Sequence, residues 1–515
     1  MTPSSSTEAS LDYLPAAATA AVPSSAPQAP NLTLSFVNRH KSLAGFILAW
    51  LALLFILKVL PLPAGLTEPG RATLAVMVWA AIIWVSEALP VAVSGLLIPA
   101  LLVLTQAIPG LNKAAGGFTN PVVFLCLSAF IFSALMQLAG LDKRLALAIL
   151  DKLKVKTVND LIWALFGVNF ILCFIVPAAN ARAATMLPVV NGISRLFGET
   201  EAERAAKKAI VIQTLVYGSM ISGMCILTAH LPNLVLTGLF KSELNIQISY
   251  LTWFKLQWPY LGMFVLTQWW VQHYFKTRAR QLPGGPQAIQ EARQQLPQSN
   301  RRELILLAIT AGVALLWASE SWHKLSTDIV ALLALGLVFT PGLLKIKWQE
   351  VQDKTIWGTV LLLAGALSIS SAIASTGLAQ WLAQHVEQVA QQRNWWLALL
   401  IVMLGTHLIR LGMLSNVAAV TMLAPVLLAL APKLGLHPIA FTMLVADTDS
   451  FAYILPTQIT AAVIAYSSGT FSTSDYAKVG VVSVAIAIAY GILVMAPWYA
   501  WLGIPVWDAN AVWPF

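Results

Sequence analysis

Two arginines stand inside apolar stretches of a chain that otherwise keeps its Lys and Arg at the ends of such runs. Arg182 lies in Asn180-Ala181-Arg182, which interrupts residues 158–196. Arg410 lies six residues before Asn416, in the Ser415-Asn416 pair that interrupts residues 395–433. A guanidinium near the centre of a bilayer costs at least ~2.5–3.5 kcal/mol on insertion scales, so it must face a cavity or a partner. Beside the free N–H groups of a broken helix it is suited to hold a carboxylate. The competing role is structural, capping carbonyls that the break leaves without partners. Asn180, Ser415 and Asn416 add short side chains able to hold an anion, ligate a small hard cation or cap helices.

Each half carries a second interruption. In the first, Gly223 through Thr228-Ala229-His230-Leu231-Pro232-Asn233 breaks the run 210–240; in the second, Leu455-Pro456-Thr457-Gln458-Ile459-Thr460 breaks 438–469. Proline lacks an amide hydrogen and frees carbonyls, and unwound carbonyls opposite hairpin tips suit Na⁺. The candidate substrate set is Asn180, Arg182, Pro232, Asn233, Arg410, Ser415, Asn416, Val417, Pro456 and Thr457. The candidate Na⁺ set is Asn180, Gly223, Ser415, Asn416 and Thr460; no other cofactor is expected. Asp447 and Asp449 read as proton carriers, cation ligands or partners of Arg410. As a carboxylate pair they also raise an intramembrane aspartyl protease, but both sit on one segment and no partner motif lies elsewhere. His230 and His407 read as core histidines, Glu87 as the cap of a short connection, and Cys126, Cys173 and Cys225 as small core residues.

The elements that hold these residues follow from composition. Of 515 residues, 58% are apolar and 10% charged, against roughly 25% charged in soluble proteins, so the chain is a polytopic membrane protein. Residues 1–38, Pro/Ala/Ser-rich at first, read as a disordered cytoplasmic N-terminus. Apolar runs of spanning length lie near 43–62, 71–88, 91–107, 120–140, 210–240, 252–275, 302–319, 326–344, 357–378, 438–469 and 477–503; a crossing helix needs ~20 residues, and 210–240 and 438–469 run longer. The stretches 158–196 and 395–433 read as re-entrant hairpins, because backbone breaks at membrane depth only inside protein or beside water.

The two halves correspond. Asn180 and Asn416 are each followed five residues later by Thr-Met-Leu, an offset of 236, and Gly140-Leu141 pairs with Gly377-Leu378 at 237. Five spans and one hairpin make each repeat, 71–275 and 302–503, with 43–62 an extra first helix and 276–301 a cytoplasmic linker. Five is odd, so the repeat is inverted: an all-α fold of about eleven spans and two hairpins. With the N-terminus inside and the C-terminus outside, twenty-one Lys and Arg fall in inner segments and eight in outer ones. That asymmetry fits the positive-inside rule and accounts for the net charge of +9 without nucleic acid. Only Arg182 and Arg410 remain, both within the hairpins.

Gly117-Phe118-Thr119-Asn120-Pro121, the stretch to Gly140-Leu141, the hairpins and the 455–469 segment together resemble the divalent anion/sodium symporter family, over residues 45 to 503. The resemblance implies a homodimeric secondary carrier in the inner (plasma) membrane, with an elevator-type movement and a di- or tricarboxylate substrate. Members carry Ser-Asn-Thr at both hairpin tips. Here the first reads Ala179-Asn180-Ala181 and the second Ser415-Asn416-Val417, so Asn180, Ser415 and Asn416 carry over. A Pro-Pro-Asn turn survives in part as Leu231-Pro232-Asn233 and is replaced by Thr460-Ala461-Ala462. A fixed cation at Arg182 would repel Na⁺ and take over its neutralising role. The expected function is therefore exchange of C4–C5 dicarboxylates such as malate, succinate or 2-oxoglutarate. The alternative is a Na⁺-coupled di-/tricarboxylate or sulfate symporter of the same fold; a channel lacks the rings of polar residues it needs.

Overall fold

The computed structural model describes residues 32–515 except 175, 177, 295–299, 391–393 and 414. Most of the N-terminal segment expected to be disordered lies outside the described residues, but its last part, from Leu32, already belongs to a helix, Leu32–Lys58. That helix stops at Lys58 rather than near residue 62, because Pro61 and Pro63 follow and a proline cannot continue the helical ladder.

The protein is all-helical and polytopic. Among the described residues, six helices are long and apolar enough to cross a membrane: Glu68–Ser86, Pro121–Ala139, Glu201–Cys225, Trp357–Ser375, Asn416–Lys433 and Thr473–Trp501. Nineteen residues at ~1.5 Å each reach ~28 Å, the thickness of the hydrocarbon layer. Eleven such spans were expected. One of the six, Asn416–Lys433, belongs to the stretch 395–433 expected to be re-entrant and not to the eleven; part of the remaining difference is local, since several apolar runs are cut by breaks. The run 210–240 divides into Glu201–Cys225 and Leu231–Leu244, 438–469 into Pro438–Ser450 and Thr460–Tyr466, and 252–275 pauses at Trp258–Tyr260 around Pro259. Shorter apolar helices include Val91–Leu104 and Thr327–Val338.

The ends of these helices are written in short motifs. Thr67 accepts a bond from Gly70 N at 3.0 Å, and Asn120 one from Val122 N at 3.1 Å, each with a proline at the start of its helix. Thr157/Asp160, Thr200/Glu203 and Ser472/Asp475 form capping boxes. Gly140 and Gly377 take left-handed φ of 70° and 80°, after which the chain turns into the amphipathic helices Leu141–Lys152 and Leu378–Ala390.

The linker 276–301 holds a helix of its own, Gly285–Gln294. It is strapped to the first half: Val158 N donates to Arg280 O at 2.9 Å, Leu282 N to Lys156 O at 2.8 Å, and Arg293 pairs with Asp151. At the centre, Val91–Leu104 crosses Trp357–Ser375 at backbone contact. A Cβ on Gly95 would lie 2.4 Å from Leu361 O, and one on Gly365 2.3 Å from Gly95 O. Glycine is required there, as in close helix crossings within membranes.

Candidate functional site

Both hairpins turn where the sequence breaks them. The first joins Val158–Leu172 to Ala179–Ser194, the second Trp395–Arg410 to Asn416–Lys433. Their tips meet the breaks at 226–230 and 451–459 around a cavity of about 640 Å³. The cavity is lined by Ala178, Ala179 and Asn180 of the first tip, by Ser415, Asn416 and Val417 of the second, and by His230, Leu231, Pro232, Ile459, Thr460 and Ala461 of the two breaks. Met220, the segment around Trp84, Glu87 and Pro90, and Thr359 and Leu362 close it. Four helices thus begin at its wall, at Ala179, Leu231, Asn416 and Thr460, and the first turn of a helix presents amides without intrahelical partners.

Neither arginine lines the cavity. Arg182 is 0% exposed. Its Nη1 donates to Val176 O and Ala229 O, both at 2.9 Å, and its Nη2 to Ser219 O at 2.6 Å. Arg410, also 0% exposed, donates to Met413 O, to Asn416 Oδ1 and, at 2.6 Å, to Gln458 O. Each guanidinium therefore fastens its own hairpin tip to the broken helix opposite, filling a cage of oxygen acceptors. The expected direct contact of Arg182 and Arg410 with an anion is not what the structure shows. Breaking two segments leaves carbonyls without intrahelical partners, and a five-donor fork reaches several of them at once.

Three further expectations change. Gly223 faces Arg182 rather than open space: a Cβ there would lie 2.5 Å from Arg182 Nη2. Asn233 is turned inward, with Nδ2 donating to Gly223 O at 3.2 Å and Ile226 O at 3.1 Å, so it holds the break together instead of lining the cavity. Pro456 is buried and Thr457 exposed, both outside the lining, in the turn that Gln458 closes by accepting Leu455 N at 2.7 Å. Asn180, Pro232, Ser415, Asn416, Val417 and Thr460 do reach the cavity.

His230, read from sequence as a core residue, is both buried and at the cavity wall. Its Nε2 lies 3.3 Å from Asn416 Nδ2 and its Nδ1 3.3 Å from Asn233 Oδ1. Asn416 accepts from Arg410 through Oδ1, which leaves its Nδ2 as donor. His230 Nε2 must then accept, and its hydrogen sits on Nδ1. The bonds run in one direction, from Arg410 through Asn416 and His230 to Asn233, and join the second hairpin to the first broken helix. Its placement two residues before Pro232 was the available signal; the partner across the repeat was not in view.

Glu87 borders the cavity as a left-handed C-cap with φ 52°, its N–H bonded to Ile83 O. It is the one formally charged side chain among the described lining residues. The two aspartates are buried outside the lining. Asp447 Oδ2 accepts from Gln257 Nε2 at 2.6 Å, and Asp449 lies 3.7 Å from Arg410 Nε. Asp449 is thus a counter-ion, and the pair forms no shared carboxylate dyad.

Residues 40–505 match the family described as the sodium:sulfate symporter transmembrane region. A Cupriavidus necator protein described as a membrane protein is 30% identical over 495 residues, covering 92% of this chain and 94% of that one. The sodium-dependent dicarboxylate transporter SdcS of Staphylococcus saprophyticus is 26% identical over 463 residues, 85% of this chain and 88% of SdcS. The crystal structure of the YdaH transporter of Alcanivorax borkumensis superimposes with a TM-score of 0.52 at 13% identity, over 85% of this chain and all of that one. That last likeness is one of fold.

Proposed function

This chain belongs to the sodium:sulfate symporter family, a family of membrane transporters and not of enzymes, and from that membership we propose that it carries C4–C5 dicarboxylates such as malate, succinate or 2-oxoglutarate. The observation that carries the substrate class is the cavity wall itself. The helix N-termini at Ala179 and Asn416, one from each tip, converge on one space with those at Leu231 and Thr460 and the side chain of Asn180, which favours two carboxylates over a single small anion. A volume of about 640 Å³ admits a four- or five-carbon dianion with water. The name of SdcS supports the same class.

On coupling, two readings have separate support. The filled oxygen cages favour exchange without sodium: acceptors from tip and break that could surround Na⁺ are engaged by Arg182 and Arg410. A tethered cation cannot leave, so the empty carrier keeps its charge and returns readily only with another anion. The relatives named sodium-dependent favour Na⁺-coupled symport of a di- or tricarboxylate or of sulfate, with Na⁺ at the remaining tip oxygens of Asn180, Ser415 and Thr460, since Asn416 Oδ1 is taken by Arg410. Labelled succinate uptake into proteoliposomes separates them. Exchange requires internal dicarboxylate and proceeds without Na⁺; uptake that needs Na⁺ and no internal anion establishes symport.

The architecture we propose is the inverted repeat, 71–275 and 302–503, in a homodimer with a cytoplasmic N-terminus and an external C-terminus in the inner (plasma) membrane. The stapling of each hairpin to its own break, and of the second hairpin to the first break, supports their movement as one body, as an elevator requires.

A further inference from the structure

A second hollow, of about 350 Å³, lies where the helix Leu261–Phe275 ends. It is lined by Trp269, Gln272, His273, Lys276, Arg278 and Ala279. Lys276 takes a left-handed φ of 54° and its N–H closes on the helix end, which turns the chain so that Lys276 and Arg278 border one space. Both are exposed, and among the described residues neither is paired with a carboxylate. Gln272 is only 4% exposed, yet its Nε2 has no hydrogen-bond partner although the residue lines the hollow. A buried amide donor without an acceptor is costly, so such a group marks a place where an acceptor belongs.

The surface leading to the hollow is apolar. Trp269 is 58% exposed and stacks on His273 with ring centroids 5.6 Å apart; one turn earlier Val265 and Leu266 are also exposed. Along about three helical turns the surface passes from aliphatic to aromatic to cationic. An interfacial tryptophan beside basic residues is the arrangement of a membrane surface, where anionic headgroups meet acyl chains.

We propose that this hollow binds the phosphate of an anionic phospholipid. Gln272 Nε2, Lys276 and Arg278 hold the phosphate oxygens, and an acyl chain lies along Val265, Leu266 and Trp269. Free phosphate shares the oxyanion chemistry but has no use for the apolar approach, which is why the lipid is the occupant assigned. The hollow is lined by none of the residues of the transport cavity, and the inference stands whichever coupling is found.

The test is thermal unfolding of the delipidated full-length protein, titrated with phosphatidylglycerol, phosphatidylcholine or inorganic phosphate, with native mass spectrometry counting retained lipid. Phosphatidylglycerol is expected to raise the midpoint and stay bound, while phosphatidylcholine does neither. The double variant Lys276→Gln/Arg278→Gln should weaken phosphatidylglycerol binding at least ~10-fold, since two charge-assisted contacts are removed. The charge-matched control Lys347→Gln/Lys354→Gln, at exposed positions elsewhere, should leave it unchanged. Gln272→Leu supplies a second variant, expected to unfold no earlier than wild type without lipid and to gain less from it. Equal response to both lipids, an unaltered double variant, or an equal loss in the control overturns the proposal. A shift by inorganic phosphate alone that matches phosphatidylglycerol overturns the lipid as its source.

Discussion

At the first hairpin tip a guanidinium stands among carbonyls with no carboxylate paired to it in the described residues, whereas at the second the corresponding group has Asp449 3.7 Å away. Both arginines perform the same mechanical task, fastening a tip to a break. Only the first leaves a net charge inside the protein, two residues behind Asn180 at the cavity wall. Two unit charges ~8 Å apart in a medium of effective dielectric ~20 attract by ~2 kcal/mol, so Arg182 can favour a dianion without touching it. Arg410 is largely compensated and acts through Asn416, whose side chain it orients. The tips differ also in their caps. Ser415 accepts Ala418 N at 3.3 Å, whereas Ala178 offers its helix no side-chain cap. The first tip thus leaves its amides open to a ligand and the second is partly closed by its own chain.

This contrast breaks most sharply at Arg182. Arg182→Leu removes the charge and the guanidinium donors to the carbonyls of Val176, Ser219 and Ala229, and dicarboxylate exchange in proteoliposomes is expected to fall at least ~100-fold, since the lost attraction and the unmade hydrogen bonds add. An unchanged rate would show that the uncompensated charge has no part in transport. At the second tip, Arg410→Gln and Asp449→Asn should each destabilise the protein by about 3–5 kcal/mol, the usual penalty for leaving a buried charge without its partner. The double variant should lose clearly less than the sum, as read by thermal unfolding; strict additivity would dissolve the pair. Gly223→Ala forces a methyl against Arg182 Nη2 and is expected to cost about 1–3 kcal/mol, with a transport defect out of proportion to its midpoint shift. The caps give the smallest effects and opposite signs. Ser415→Ala should lower stability by about 1 kcal/mol and Ala178→Ser raise it by up to as much, seen as midpoint shifts in opposite directions.

Much of this site could be read before any coordinates. The break in an apolar run is a local property, so Asn180 and Asn416 mark both tips, and Gly140 and Gly377 mark both turns into amphipathic helices. Pro232 and Pro456 announce the two breaks for the same reason. What escaped was direction. Arg182 was legible as a buried cation, but the oxygen atoms it would meet lie up to 47 positions away, at Ala229; Arg410 reaches 48 positions to Gln458. Asn233 lies next to Pro232, yet it turns inward because its Nδ2 is drawn to three carbonyls of the break, those of Gly223, Met224 and Ile226.

Local composition, then, determined that this chain lives in a bilayer, where its helices break and which charges are trapped at the breaks, because the penalty for unpaired backbone in hydrocarbon acts residue by residue. Whether a trapped charge meets solute or protein was settled by folding, since that depends on which distant carbonyls arrive without partners. Arg182 and Arg410 were drawn away from the cavity by such carbonyls, and His230 was brought to its wall by Asn416, 186 residues along the chain.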